Sequence, residues 1–260
     1  MTPVYRAGLG EPGPARPDLP DRLDDVPVAH TLCPPMAPPV YEVGDRRPLA
    51  SRQKPAAQSL ARRLAQLQVS PNTISVGGLL FGILAGVLLF ATPSTSSLPR
   101  RLAFLLAAGA VQLRLLCNLL DGMVAVEGGA ASRVGELFNE IPDRISDAAT
   151  LIGAGYAVGG NPTLGYVAAC VALFVAYVRA MGKVAGAKQE FCGPMAKQHR
   201  MFVVTLGCVY CGLAPAGWQP LWGSAGVGVM VIVLSIIIVG GVVTAIRRLA
   251  RITRVLKGPA

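Results

Sequence analysis

The chain has 260 residues, 52% of them hydrophobic and only 15% charged, with a mean hydropathy of +0.51. So little charge over this length excludes an ordinary soluble domain and favours a membrane protein. The formal net charge of +10 raises nucleic acid as a partner, but the basic residues stand beside apolar runs. That placement suits an anionic membrane surface and argues against nucleic acid.

Residues 1–50 hold five Lys/Arg, seven Asp/Glu and 11 prolines, including Pro34-Pro35 and Pro38-Pro39, with no sustained apolar period. Such a composition predicts a disordered or loosely docked extension. It lacks the apolar core of a secretory signal peptide and is expected to stay cytosolic. Over 51–70, Leu60, Leu64 and Leu67 recur at helical spacing with Arg62 and Arg63 on the other side. This is the pattern of an amphipathic juxtamembrane helix lying in the interface. Ser70-Pro71 reads as an N-cap followed by proline in the first helical turn.

Six apolar stretches follow at roughly 72–92, 99–125, 137–158, 163–186, 200–216 and 223–247, the third and fifth being the weakest. Each approaches the ~20 residues that cross a bilayer core. The expected fold is all-α and polytopic, with six transmembrane helices over 71–250 and a basic tail at 251–260. The turn at Pro162 and the segment 215–223 are uncharged and are expected outside. Arg133, Arg144, Lys183, Lys188, Lys197 and Arg200 are expected inside, with Arg247, Arg248, Arg251, Arg254 and Lys257 of the C-terminal run. Both termini then face the cytosol of a cell (inner) membrane. Arg100 and Arg101 run against this rule. The C-terminal basic run is expected to meet lipid head groups. Six cysteines show no disulfide spacing. Cys208-x-x-Cys211 is open to a redox or metal reading, but its apolar flanks and the lack of a second pair favour core packing.

Residues 51–260 carry 19 Lys/Arg against seven Asp/Glu, and six of those acids (Asp121, Glu127, Glu136, Glu140, Asp143, Asp147) fall between 121 and 147. The topology puts this stretch at the cytosolic ends of the second and third membrane helices, joined by a turn with Gly128 and Gly129. Arg114, Asn118 and Asp121 share one face of the second helix; Asn139, Asp143 and Asp147 share one face of the third. Gly122 and Ala125 continue the first face with almost no side chain, so a ligand can approach the backbone. Oxygen ligands in this arrangement suit Mg²⁺, Mn²⁺ or Ca²⁺ and not zinc. Ionisable groups at membrane depth are costly, so a cluster argues for function. The other reading is an interhelical salt-bridge cluster in which Arg114, Arg133 and Arg144 pair with the acids.

Asn118-Leu-Leu-Asp121-Gly122-Met-Val-Ala125, eight residues after Val126, then Gly135-x3-Asn139-x3-Asp143 resembles the signature D-x2-D-G-x2-A-R-x8-G-x3-D-x3-D of the CDP-alcohol phosphotransferases. Ser70-Pro71-Asn72-Thr73-Ile74-Ser75 resembles that family's lead into its first membrane helix, and the resemblance covers about 51–250. It implies transfer of a phosphatidyl group from CDP-diacylglycerol to an alcohol with release of CMP, one or two Mg²⁺ or Mn²⁺ ions, and a homodimer among membrane lipids. Carried over, Asp121 is a metal ligand, and Asp143 is the general base and a possible ligand. Gly122, Ala125 and Gly135, with Asn72, belong to the CDP pocket. Arg179, Lys197 and Arg200 lie where relatives bind a phosphate on the acceptor, although positive-inside topology also explains them. Arg114 is expected to pair with Asp121 or a substrate phosphate.

Three positions depart from the signature. Asn118 and Asn139 stand where it has aspartate, and Val126 replaces its arginine. An amide oxygen can coordinate a hard cation but brings no charge, which weakens metal affinity and leaves one metal as an alternative to two. Asp147, Glu127 and Glu140 are candidates to restore the charge. The chain resembles a divergent branch with Asn at both places and an extra Asp four residues on. The alternatives are a metal- and CDP-lipid-binding membrane protein without turnover and, last, a small transporter. The acceptor stays open among glycerol 3-phosphate, an inositol phosphate, another polyol phosphate and a second phospholipid. A CDP-linked small alcohol with diacylglycerol as acceptor is open too.

Overall fold

A computed structural model describes residues 54–128, 133–219, 221–223 and 226–257, leaving aside the side chains of Arg133, Val134, Glu136 and Ala216. The extension at 1–50, Cys33 and Gly129 lie outside the described residues. Among the described residues seven α-helices follow one another: α1 (Pro55–Gln66), α2 (Pro71–Ala91), α3 (Ser97–Glu127), α4 (Arg133–Tyr156), α5 (Pro162–Val184), α6 (Lys197–Leu213) and α7 (Val229–Lys257). Among the described residues the only β pairing is an isolated bridge between Trp222 and Val227.

The helix starts follow capping chemistry. Ser70 Oγ accepts from Thr73 N at 3.1 Å and Pro71 opens α2. Asn161 Oδ1 accepts from Leu164 N at 3.1 Å and Pro162 opens α5. In each case the cap oxygen satisfies an orphan amide and the proline occupies a position that needs none. Pro142 lies inside α4 and interrupts its hydrogen-bond ladder one residue before Asp143.

Among the described residues four helices are long and apolar enough to cross a membrane: α2 with the 3-10 turn after it (Pro71–Ser94), α3, α5 and α7. The chain is therefore an integral membrane protein. The two weakest sequence stretches are also helical, as α4 and α6, but α4 carries Glu140, Asp143, Arg144 and Asp147, and α6 has 17 residues. α2 lies along both α3 and α4; α5 packs on α4 and α7, and α6 on α3. Small residues let α2 and α4 touch backbone to backbone. A Cβ placed on Gly153 would lie 2.3 Å from Gly86 O, so neither helix tolerates a side chain at that crossing. Ala85, Leu89, Phe104, Val111, Leu151 and Leu234 anchor the shared core, which also takes in Cys208 and Cys211 as buried free thiols. Leu80, Val87, Leu106, Phe174 and Val239 point outward, as a lipid-facing surface requires.

Two expectations change. Of the basic tail expected at 251–260, the described part up to Lys257 continues α7. Within it, Arg248 is buried and donates to Val175 O at 3.0 Å and to Cys192 O at 3.1 Å, so it ties α7 to α5 instead of meeting lipid head groups. Arg100 and Arg101, which oppose the positive-inside pattern, serve as caps. Arg101 donates to Gly212 O, Leu213 O and Ala214 O at 2.9, 2.7 and 2.9 Å, covering the C-terminal carbonyls of α6. Arg100 does the same for Thr92 O and Thr95 O, at 3.2 and 2.8 Å. Carbonyls at a helix end need such donors when no further turn follows.

Candidate active site

The acidic stretch forms three rungs across the antiparallel pair α3 and α4. The backbones of these helices stay apart, with α2 against both, and polar side chains bridge the gap. In the rung nearest the helix ends, Asn139 Nδ2 donates weakly to Asp121 Oδ1 at 3.4 Å. One turn deeper, Asn118 Nδ2 donates to Asp143 Oδ1 at 2.5 Å. One turn deeper again, Arg114 meets Ser146 and Asp147: Nε to Ser146 Oγ is 2.5 Å and Nη2 to Asp147 Oδ1 is 2.5 Å. The i, i+4 spacing on both helices generates this ladder directly.

The outer two rungs are completed from α2 and α6. Ser75 Oγ donates to Asp121 Oδ2 at 2.8 Å, and the other oxygen of Asp121 accepts from Gly122 N at 2.5 Å. Lys197, the first residue of α6, sets its Nζ against both Asp143 Oδ2 and Asn118 Oδ1. Asp121 and Asp143 are both buried. Gly122 and Ala125 flank Asp121 on α3 and are half-buried, as is Gly135 near the start of α4. Asn72 is exposed at the second position of α2, and its neighbour Ser75, one turn on, makes the contact with Asp121. Sequence reasoning missed Ser75 although it quoted the segment, because Ser75 falls at helical spacing after Pro71 and faces α3.

The deep rung is an ionic network. Asp147 is held by Arg114, by Arg200 Nη2 at 2.9 Å and, at 3.9 Å, by Arg144. Arg114 therefore does not pair with Asp121; its second carboxylate is Asp143, 3.6 Å away. Arg200, expected at an acceptor phosphate, is buried and also donates to Met195 O at 3.1 Å. Glu140 does not restore charge to the Asp121 side, because Arg144 and Arg179 both hold its Oε1, the latter at 2.5 Å. Arg179 also stacks over Phe191, 5.7 Å from the ring centre. Glu127, at the end of α3, is exposed. The salt-bridge reading of the acids thus holds for Glu140, Asp143 and Asp147, whereas Asp121 has no cationic side chain in contact among the described residues.

The carboxylates of Asp121 and Asp143 and the amides of Asn118 and Asn139 come together here, with Lys197 already against Asn118 Oδ1 and Asp143 Oδ2. Their oxygens are hard donors and fit a divalent cation of the Mg²⁺ or Mn²⁺ kind. Among the described residues no three His, Cys, Asp or Glu side chains converge as a ready ligand set. A cation placed here would have two carboxylates within reach, because Asp147 is engaged by Arg114 and Arg200.

An apolar helical body with a buried cluster of hard oxygen donors at one end of its α3–α4 pair defines a membrane protein that handles a polar, charged head group. It belongs to the CDP-alcohol phosphatidyltransferase family, whose model matches residues 68–246, and is thereby a membrane transferase of phospholipid metabolism. Among its relatives, the phosphatidylinositol phosphate synthase of Streptomyces avermitilis is 29% identical over 210 residues, covering 77% of each chain. Inner membrane protein YnbA of Escherichia coli is 26% identical over 181 residues, 67% of this chain and 87% of that one. The fold is similar to that of Mycobacterium tuberculosis phosphatidylinositol phosphate synthase with CDP-DAG bound, with a TM-score of 0.60 at 19% identity over 75% of this chain and 92% of that one. The same enzyme in complex with manganese and citrate superposes at a TM-score of 0.61, with 18% identity over 76% and 88%.

Proposed function

We propose that the chain transfers the phosphatidyl group of CDP-diacylglycerol to the hydroxyl of an alcohol, with Mg²⁺ or Mn²⁺, and releases CMP. The observation that carries this reading is the meeting of Ser75, Asn118, Asp121, Asn139 and Asp143 from three helices in an otherwise apolar body. Asp121 and Asp143 hold the cation with the amide oxygen of Asn139, while the amide oxygen of Asn118 faces Lys197. When bound, the cation neutralises the diphosphate of the donor and stabilises charge on the leaving CMP oxygen.

The chain's own residues do the rest. Ser75 and Gly122 N orient the Asp121 carboxylate by two hydrogen bonds. Gly122, Ala125 and Gly135 present little side chain and leave room for the cytidine diphosphate head. The acceptor oxygen attacks the β-phosphorus, the bond from that phosphorus to the CMP oxygen breaks, and the acceptor proton passes to Asp143. Lys197, beside Asp143, adds positive charge where the phosphates gather. A phosphate on the acceptor would be met by Arg179 and Lys197 at the site's edge, and only after Glu140 gives way at Arg179.

The assembly extends the same reading. α2 to α7 form six spans with both termini and the site on the cytosolic side of the cell membrane. α1 lies on the membrane surface, the transferase domain runs over 71–250, and two chains form a homodimer. The test is CMP release by purified protein with CDP-diacylglycerol, Mn²⁺ or Mg²⁺ and a panel of acceptor alcohols, beside the Asp143→Asn variant. Acceptor-dependent release that disappears in the variant is expected and names the acceptor. No release from protein that still binds CDP-diacylglycerol would favour a non-catalytic, lipid-binding role.

A further inference from the structure

We infer that the ammonium of Lys197 fills the place of a second metal ion, so that the site takes one divalent cation and not two. The inference rests on the metal-dependent reading above and concerns how this chain balances charge. Lys197 Nζ contacts Asn118 Oδ1 and Asp143 Oδ2 together, one oxygen from α3 and one from α4. Those are two of the four oxygen-bearing positions of the signature, and an ammonium is a compact, oxygen-seeking cation that can serve both at once.

The anion count points the same way. Asn at 118 and 139 leaves Asp121 and Asp143 as the carboxylates of the outer rungs. Asp147 does not make up the difference, since Arg114 and Arg200 hold it one turn deeper. Glu140 does not either, since Arg144 and Arg179 hold it. Two divalent ions together with Lys197 would gather five positive charges around two negative ones in a buried site, an arrangement that desolvation strongly disfavours. One divalent ion with Lys197 leaves a single excess positive charge, which a diphosphate readily meets.

The two cations have separate places. Asp121 is the carboxylate with no cationic side chain in contact among the described residues, and Ser75 and Gly122 N orient it. The divalent ion belongs on the Asp121 side, shared with Asp143, while Lys197 closes the Asn118 side. Lys197 lies at the first turn of α6, next to the loop that follows α5. The residue that removes the need for a second metal therefore comes from a different helix than the metal signature itself.

The experiment counts Mn²⁺ bound by the full chain in detergent, from loss of the free-ion electron paramagnetic resonance signal, with no turnover required. One Mn²⁺ per chain is expected for the wild type. The Asn118→Asp/Lys197→Met double variant is expected to bind two, because it restores a carboxylate and removes the ammonium. Two ions in the wild type would overturn the inference and leave the metal-dependent function standing. No ion at millimolar Mn²⁺ would overturn both. A double variant that melts like the wild type but still binds one ion would refute the role given to Lys197.

Discussion

Asp147→Asn should destabilise the protein severely, although it changes one atom and touches no expected substrate. Asp147 is 1% exposed, Arg114 0% and Arg200 1%, and the carboxylate stands 2.5 Å from one guanidinium and 2.9 Å from the other. Removing its charge leaves two buried cations facing a neutral amide. Breaking a buried pair in this way costs about 3–5 kcal/mol. For a domain of this size each kcal/mol moves the melting midpoint by about 2–4 °C, so a drop of about 6–20 °C is expected in a thermal melt in detergent. Replacing all three residues, as Arg114→Met, Asp147→Leu and Arg200→Met, should recover most of that loss, since apolar side chains of similar size need no counter-charge. An Asp147→Asn variant that melts within about 2 °C of wild type but loses its Mn²⁺ would refute the reasoning. It would make Asp147 a metal ligand and not an ionic anchor.

Two other outcomes follow from contacts already described. Ser75→Ala removes the hydroxyl that orients Asp121 at 2.8 Å; it should lower Mn²⁺ affinity and CMP release by about 10–100-fold, as loss of a ligand's supporting hydrogen bond does, while the melt stays near wild type. Unchanged Mn²⁺ titrations would show that Asp121 needs no such support. Arg101→Ala uncovers the last two carbonyls of α6, those of Gly212 and Leu213, and should cost about 1–3 kcal/mol, read as faster amide hydrogen exchange in the last turn of α6. CMP release per folded molecule should stay unchanged, because Arg101 caps the end of α6 opposite to Lys197.

The helices and the site signature were legible in the sequence because both rest on spacing within one element. Apolar runs mark spans, and the i, i+4 rows of Arg114, Asn118 and of Asn139, Asp143, Asp147 mark faces. What spacing cannot show is which partner each face meets. A buried arginine needs a partner, and Asp121 or a substrate phosphate is what the sequence offers Arg114, but the antiparallel crossing puts it opposite Ser146 and Asp147 instead. Arg200 reads as an acceptor-phosphate residue or cytosolic charge and Arg248 as a lipid-head-group contact, yet the first neutralises Asp147 and the second covers carbonyls of α5 and of the loop after it. A long basic side chain beside an apolar run looks the same in sequence whether it reaches outward to lipid or inward to a carbonyl. Ser75 was hidden for a related reason: a serine in a helix start is ordinary, and only the packing of α2 on α3 gives it a carboxylate to hold.

The ladder also explains why amides, and not aspartates, suit positions 118 and 139 here. Asn118 Nδ2 donates to Asp143 Oδ1 while its Oδ1 accepts from Lys197. A carboxylate accepts only, so an aspartate there could keep the lysine but would face Asp143 with like charge across a 2.5 Å contact. Asn139 stands toward Asp121 in the same sense, as a donor to its Oδ1. Each remaining carboxylate is thus paired with an amide one rung across, and each amide keeps an oxygen that a cation can use. Arg114 ties this arrangement to the layer beneath, because it donates to Asp143 O at 3.1 Å while neutralising Asp147. The backbone that presents Asp143 is therefore fixed by the same guanidinium that balances the deep carboxylate. The amide at 118, the ammonium at 197 and the carboxylate at 147 thus form one connected network, with Lys197 beside the outer rungs and Arg114 linking them to Asp147.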